Sequence, residues 1–183
     1  MFKHLRPTLV LLAAFTAITG LAYPIVLTGI AQVIFPYQAN GNLITKDGKV
    51  VGSTLIGQNF TSDRYFHGRP SAVDYKADTS GASNAGPTSK ALIERIRGEV
   101  EKLRQQIPGE VPVDLITTSA SGLDPHISPA AVLFQVPRVA KARGTTPERI
   151  RQLVEKHIEG RFLWFLGEPR VNVLELNMAL DAL

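Results

Sequence analysis

The stretch Pro7–Phe35, PTLVLLAAFTAITGLAYPIVLTGIAQVIF, decides the architecture: its 29 residues contain no charged side chain. The uncharged window runs further, from Arg6 to Lys46. As a helix rising about 1.5 Å per residue, the run reaches about 43 Å, more than the roughly 30 Å of a hydrocarbon core. Tilt or protrusion takes up the surplus. The sequence therefore predicts residues 1–6 ahead of a transmembrane helix at 7–35, and one compact mixed α/β domain over 36–183.

A cleaved signal peptide is the rival reading. Thr8 to Thr19 would be its apolar region, and Gly20-Leu21-Ala22 has the small-x-small pattern of a cleavage site. The apolar run nevertheless continues from Ile25 to Phe35 without a polar break, and Pro24 follows close behind the supposed cut. Retention of the segment is the expectation.

Lys3, His4 and Arg6 precede the run, and no basic residue follows it before Lys46. The positive-inside bias then predicts a cytoplasmic N-terminus and an extracytoplasmic domain, periplasmic in an inner-membrane protein. Within the run, Thr16, Gly20, Pro24, Thr28 and Gln32 recur every four residues. Such a stripe of small or polar side chains lets another helix approach closely, so these five are the expected partner contacts. Equally, Gly and Thr are tolerated in any membrane helix. Pro24 predicts a bend, with a carbonyl freed one turn back.

Beyond the helix, composition excludes more than it selects. Apolar residues make up 44% and charged residues 20% of the 183, which fits a folded chain. With Lys3 and Arg6 set aside, 18 basic residues face 16 acidic ones, too even a balance for a nucleic-acid partner. Cysteine is absent, which removes disulfides and thiolate chemistry.

The remainder reads as alternating short elements. Tyr37 to Asn42 is an expected connector. Asp47-Gly48 between Leu43–Thr45 and Val50-Val51 signals a hairpin with a type I′ turn. Asp74 to Ser89 is an expected loop, and Leu92, Ile96, Val100, Leu103 and Ile107 mark an amphipathic helix ending at Pro108-Gly109. Val111 to Thr117 is an expected strand. Ser128-Pro129 opens a helix towards Gly144, with a kink or break at Pro137. Thr145 and Glu148 form an expected capping box for a helix whose buried face is Ile150, Leu153, Val154 and Ile158 and whose stop is Gly160. Asn172 caps a last helix through Leu180.

Catalytic constellations are searched for and not found at the level of motif. Gly81 and Gly86 have P-loop spacing, but Pro87-Thr88 stands where Lys-Ser/Thr is required. Ser121 follows the expected strand without the glycine two residues earlier that a nucleophile elbow needs. A hydrolytic group of Ser121, His126 and an Asp rests on residue types alone. His67, His126 and His157 lack ligand spacing, so no metal site is expected. Arg69, Arg138 and Arg143 could bind an anion or serve structural pairs.

The segments that resist a catalytic reading carry a resemblance. Gly52–Phe60 (GSTLIGQNF), Tyr65–Ala72 (YFHGRPSA), Val113–Pro129 (VDLITTSASGLDPHISP), Gln135–Gly144 (QVPRVAKARG) and Leu166–Asn177 (LGEPRVNVLELN) are similar, in this order and behind one leading helix, to the C subunit of the Kdp potassium-transporting ATPase family. The resemblance covers most of residues 7 to 181. Ala85 departs from it, where a larger aliphatic residue is common.

That resemblance implies an accessory, non-catalytic subunit of a bacterial inner-membrane complex that uses ATP to import potassium. The implied partners are a channel-like potassium-translocating subunit, a P-type ATPase subunit, a small single-helix subunit and membrane lipid. No Asp-Lys-Thr-Gly phosphorylation motif and no Thr-Val-Gly-Tyr-Gly filter occur here, which suits that division of labour. The family is described as a catalytic chaperone that raises the ATP affinity of the pump subunit. The resemblance thus implies ATP contact, without a tightly bound cofactor, at Ser119, Ser121, Gly122 and Gln135. The charge asymmetry argues against this, since it places those residues outside while ATP is cytoplasmic. The alternative is a domain that caps the outer mouth of the channel-like subunit and shapes potassium access.

Overall fold

The computed structural model describes residues 2–183; Met1, the first residue of the expected N-terminal segment, lies outside them. The chain divides into two compact units, Met1–Val50 and Val51–Leu183.

In the first unit, α1 (Leu5–Ala17), a π-helical turn (Ile18–Ala22) and α2 (Tyr23–Ile34) join into one helix, Leu5–Ile34, of 30 residues. By length and composition it could cross a membrane, and none of its residues is buried by the rest of the chain. The π turn is the response to Pro24. Proline has no N–H to give and its ring crowds the carbonyl one turn back. Widening the turn relieves this: the Tyr23 N–H donates to Ile18 O, five residues earlier. Phe35 then leaves helical geometry at φ −129°.

The expected connector is partly helical. Pro36–Ala39 forms a single turn, α3, because proline suits the first helical position and Asn40 Nδ2 donates back to Pro36 O at 2.7 Å. Next come β1 (Leu43–Lys46) and β2 (Lys49–Ser53), paired as a hairpin. Asp47 and Gly48 have φ +53° and +76°, the two positive values that a type I′ turn demands.

The second unit is mixed α/β, as expected. Its helices are α4 (Lys90–Gln106), α5 (Pro129–Arg143), α6 (Pro147–Lys156) and α7 (Val173–Asp181). The strands β3 (His126–Ile127), β4 (Ile158–Glu159) and β5 (Arg170–Asn172) form an antiparallel sheet with β5 central. Ile127 and Ile158 both register against Val171. Around this sheet lies the core: Phe66, Val132, Val136, Val139, Ile150, Val154, Val171, Leu176 and Leu180. The apolar face of α4 is only half-buried at Leu92, Ile96, Val100 and Leu103.

Several helix ends match expectation. Ser128 Oγ accepts the Ala131 N–H, and Gly144 ends α5 at φ +65°. Asn172 Oδ1 accepts the N–H groups of Leu174 and Glu175. Others need correction. Thr146, not Thr145, caps α6, its Oγ1 accepting from Arg149 N at 3.4 Å. Of the kink or break expected at Pro137, the break is absent, and α5 runs on to Arg143. Ile158 leaves α6 for β4, where it pairs with Val171 in place of two more helical residues.

Val111–Thr117 is not a strand. Val113–Leu115 is a 3-10 turn, because Pro112 lacks a ladder donor and the neighbouring side chains satisfy the backbone locally. Thr117 Oγ1 donates to Val113 O at 2.8 Å, and Asp114 Oδ2 accepts the Ser128 N–H at 2.7 Å.

Candidate functional site

The segment 59–75 has no regular structure, and buried amides from two helices fix its middle. Asn177 on α7 accepts the Phe66 N–H at 2.8 Å and donates to the Phe66 carbonyl at 2.9 Å. Gln135 on α5 treats the next residue alike, accepting from His67 N at 2.8 Å and donating to His67 O at 3.1 Å. These side chains stand in for strand partners. Each is an amide on an otherwise apolar helix face, where an unpaired polar group would be costly.

Between this segment, α4 and α5 opens a cleft of about 450 Å³. Its polar walls include Asp63, His67, Arg69, Tyr75, Lys102, Gln135 and Arg138. Arg138 spends one guanidinium nitrogen on Asp63 O at 2.9 Å, and the other on Tyr65 O at 3.0 Å and Gln135 Oε1 at 2.7 Å. His67 Nε2 lies 3.1 Å from Ser62 O and 3.3 Å from Arg138, contacts that call for opposite donor roles, so its tautomer selects one. Burial, then the Arg138 charge, holds the His67 imidazole below its usual range. The ring is therefore neutral at pH 7.

Arg69 pairs with Asp124 at 3.1 Å and reaches Thr118 O at 3.4 Å, while its buried Nε has no partner among the described residues. Tyr75 donates to Arg69 O at 2.5 Å. Burial first, and the nearby Asp124 carboxylate second, push its phenol up to about 12. Chemically the cleft holds cationic and amide donors, suited to an anionic or carbonyl-rich ligand, with most of them already engaged by the protein.

The residues expected at a nucleotide contact are divided by the fold. Gln135 lines the cleft, whereas Ser119, Ser121 and Gly122 do not. Ser119 is buried, its N–H directed at Pro70 O. Ser121 Oγ accepts from Leu123 N, and Ser121 O accepts from Gly81 N at 2.9 Å. Gly122 sits at φ +70°, and its carbonyl accepts from Ser71 Oγ at 2.7 Å. The Gly81–Gly86 segment thus packs against Ser121 as a loop.

For the hydrolytic alternative, His126 Nδ1 lies 3.8 Å from Asp124 Oδ1, but no hydrogen bond joins Ser121 to His126 among the described residues. Nor do the described residues bring three metal-ligating side chains together. Along the first unit's helix, Gln32 meets Asn40 amide to amide, with Asn40 Nδ2 3.1 Å from Gln32 Oε1. Thr16, Gly20, Pro24 and Thr28 lie exposed. Asn177 is the residue that sequence reading passed over. Its signal was a polar amide among Val173, Leu176 and Leu180, all buried on the same helix.

Comparison with known proteins places these features in a lineage. Residues 5–182 match the family described as "K+-transporting ATPase, c chain". A Rhodopseudomonas palustris protein is 59% identical over 197 residues, covering 100% of this chain and 99% of its own length. A Methylobacterium nodulans protein is 58% identical over 198 residues, covering 100% and 98%. A Bradyrhizobium diazoefficiens protein is 58% identical over 196 residues, covering 99% and 98%. Each is named a potassium-transporting ATPase KdpC subunit.

Proposed function

As the chain belongs to the K+-transporting ATPase c chain family, we propose that it is a membrane-anchored accessory subunit that stabilises a potassium-importing ATPase complex. The observation that carries this is the 30-residue apolar helix Leu5–Ile34, exposed along its length and joined to a separately folded unit. An apolar helix with no protein cover needs lipid or other helices around it. Its N-terminus lies in the cytoplasm and the second unit lies outside the inner membrane, on the strength of Lys3 and Arg6.

Within the complex the helix docks through Thr16, Gly20, Pro24, Thr28 and Gln32 on a channel-like potassium-translocating subunit. A P-type ATPase subunit and a small single-helix subunit complete the assembly. The outer unit caps the channel-like subunit's mouth and shapes potassium access. Deleting residues 51–183 while keeping the helix should impair potassium uptake. Normal uptake with normal assembly would overturn this reading.

A second reading is nucleotide-linked: the chain raises the ATP affinity of the pump subunit. The positive charge of Lys102 and Arg138 on the cleft wall beside Gln135 favours it, because cationic side chains suit phosphate. Ser119, Ser121 and Gly122 would then act from beside the cleft. Substituting Gln135 and Ser121 should raise the ATP concentration that the purified complex needs. Unchanged ATP dependence in an intact complex removes this reading and leaves the first.

A further inference from the structure

Between β4 and β5 the chain turns back through Arg161-Phe-Leu-Trp-Phe-Leu166, and the tip of this turn is exposed. Phe162, Leu163, Trp164, Phe165 and Leu166 are each at least 48% exposed, and Trp164 is 94% exposed. Five consecutive large apolar residues turned towards water are not what a solitary soluble domain presents.

The turn is nevertheless held in shape. Phe162 and Leu166 exchange both backbone hydrogen bonds, each 2.9 Å. Leu163 and Trp164 adopt φ +50° and +68°, a left-handed conformation that bulky residues avoid. Below the tip, Arg161 pairs with Glu168 at 2.7 Å and Arg170 with Glu159 at 2.9 Å. The paired backbone bonds and the ion pairs offset that strain and hold out a tip that has no charged residue from 162 to 166.

We propose that this tip inserts into the interfacial layer of the lipid bilayer that the chain's own helix crosses. The inference rests on Leu5–Ile34 spanning that bilayer, which keeps a membrane surface within reach of the second unit.

Four features select lipid over a protein socket. A socket usually grips one or two anchor side chains inside a polar rim, whereas this tip is contiguous and wholly apolar. The basic residues at its base are already paired with carboxylates, so shallow insertion need strand no charge in apolar surroundings. The backbone groups of Phe162 and Leu166 satisfy one another, as an apolar medium requires. Tryptophan, with an apolar ring and one N–H, prefers the membrane–water boundary.

Trp164 is the chain's only tryptophan, so intrinsic fluorescence reports this tip alone. The full chain is reconstituted in phosphatidylethanolamine–phosphatidylglycerol vesicles, with and without acyl-brominated lipid. The expected result is a blue-shifted emission, quenching by the brominated lipid, and several-fold weaker quenching by aqueous acrylamide than in a Trp-containing unfolded chain. The double substitution Leu163→Ser with Phe165→Ser should reverse these changes while the chain still floats with the vesicles.

Flotation with a fully water-exposed Trp164 would overturn the proposal and leave the helix anchor standing. Failure to float would overturn the anchor and the proposal with it. Shielding from acrylamide that appears only in the co-purified complex, without brominated-lipid quenching, would assign the tip to a partner subunit and also overturn it.

Discussion

Gln135 holds His67 by both of its backbone polar groups, accepting its N–H at 2.8 Å and donating to its carbonyl at 3.1 Å. The same amide oxygen receives Arg138 at 2.7 Å. One buried side chain thereby ties α5 to an irregular segment and orients a guanidinium on the wall of the cleft.

Replacing Gln135 by Ala should orphan the His67 N–H and carbonyl and deprive Arg138 of an acceptor. At about 1–3 kcal/mol for each buried unsatisfied group, a loss of about 3 kcal/mol is expected. Chemical denaturation of the solubilised chain, followed by circular dichroism, measures it. Gln135→Glu keeps the acceptor for His67 N–H and Arg138 but turns a carboxylate oxygen towards the His67 and Ala131 carbonyls, so it should recover only part of the loss. A Gln135→Ala protein as stable as the parent would show the amide to be dispensable to the fold.

Gly122 and Gly144 share positive φ but not surroundings. A Cβ at Gly122 would come 2.5 Å from Val73 Cγ2 and 2.8 Å from Gly81 O, whereas nothing lies within 4 Å at Gly144. Gly144→Ala should cost only the left-handed penalty of about 1–2 kcal/mol. Gly122→Ala should cost more, and should loosen the contact between the 81–86 loop and Ser121. Equal losses in thermal melts of the two variants would refute the contact argument.

Burial and Arg138 lower the pKa of His67, so the unfolded chain binds this proton more readily than the folded one. The stability linked to His67 is full above the ordinary imidazole value of about 6.5 and is lost as pH falls from there through the lowered folded value. His126, lowered mainly by its own burial, adds in the same direction. Melting temperature should fall from pH 7 to pH 5, and His67→Gln should flatten that slope. An unchanged slope in the variant would place the dependence elsewhere.

Arg143 links three elements. It donates to Arg64 O at 2.7 Å, Leu180 O at 2.8 Å and Asp181 Oδ1 at 2.8 Å, and lies 5.1 Å from the centre of the Tyr65 ring. An ammonium cannot reproduce this fork. Arg143→Lys should therefore lose about 2 kcal/mol, nearly as much as Arg143→Ala, given about 1.5–3 kcal/mol for a charged hydrogen bond. Full stability in the Lys variant, judged by urea unfolding, would contradict the geometry.

Much of the fold was legible where a few adjacent residues decide the outcome. The charge-free run announces a membrane-length helix; Asp47-Gly48 announces its hairpin; Ser128, Gly144 and Asn172 announce helix ends. The candidate site was far less legible. Gln135 entered by resemblance, yet its partner His67 stands 68 positions away, and Asn177 reaches Phe66 across 111. The expected strand at Val111–Thr117 failed because Pro112 has no ladder donor and the side chains of Asp114 and Thr117 bond backbone groups instead, a competition that β-branched composition does not register.

Hydrophobic run length, turn chemistry and end-capping are set by residues close together in the chain, so order along the chain was enough to specify the long apolar helix Leu5–Ile34 and most of the others. Where each buried amide finds its acceptor, which carboxylate meets Arg69, and that Phe162–Leu166 is left facing outward while Phe66 is enclosed, depend on elements distant in sequence closing around a common core. Only burial creates the need for those bonds, and burial exists only once the chain has folded.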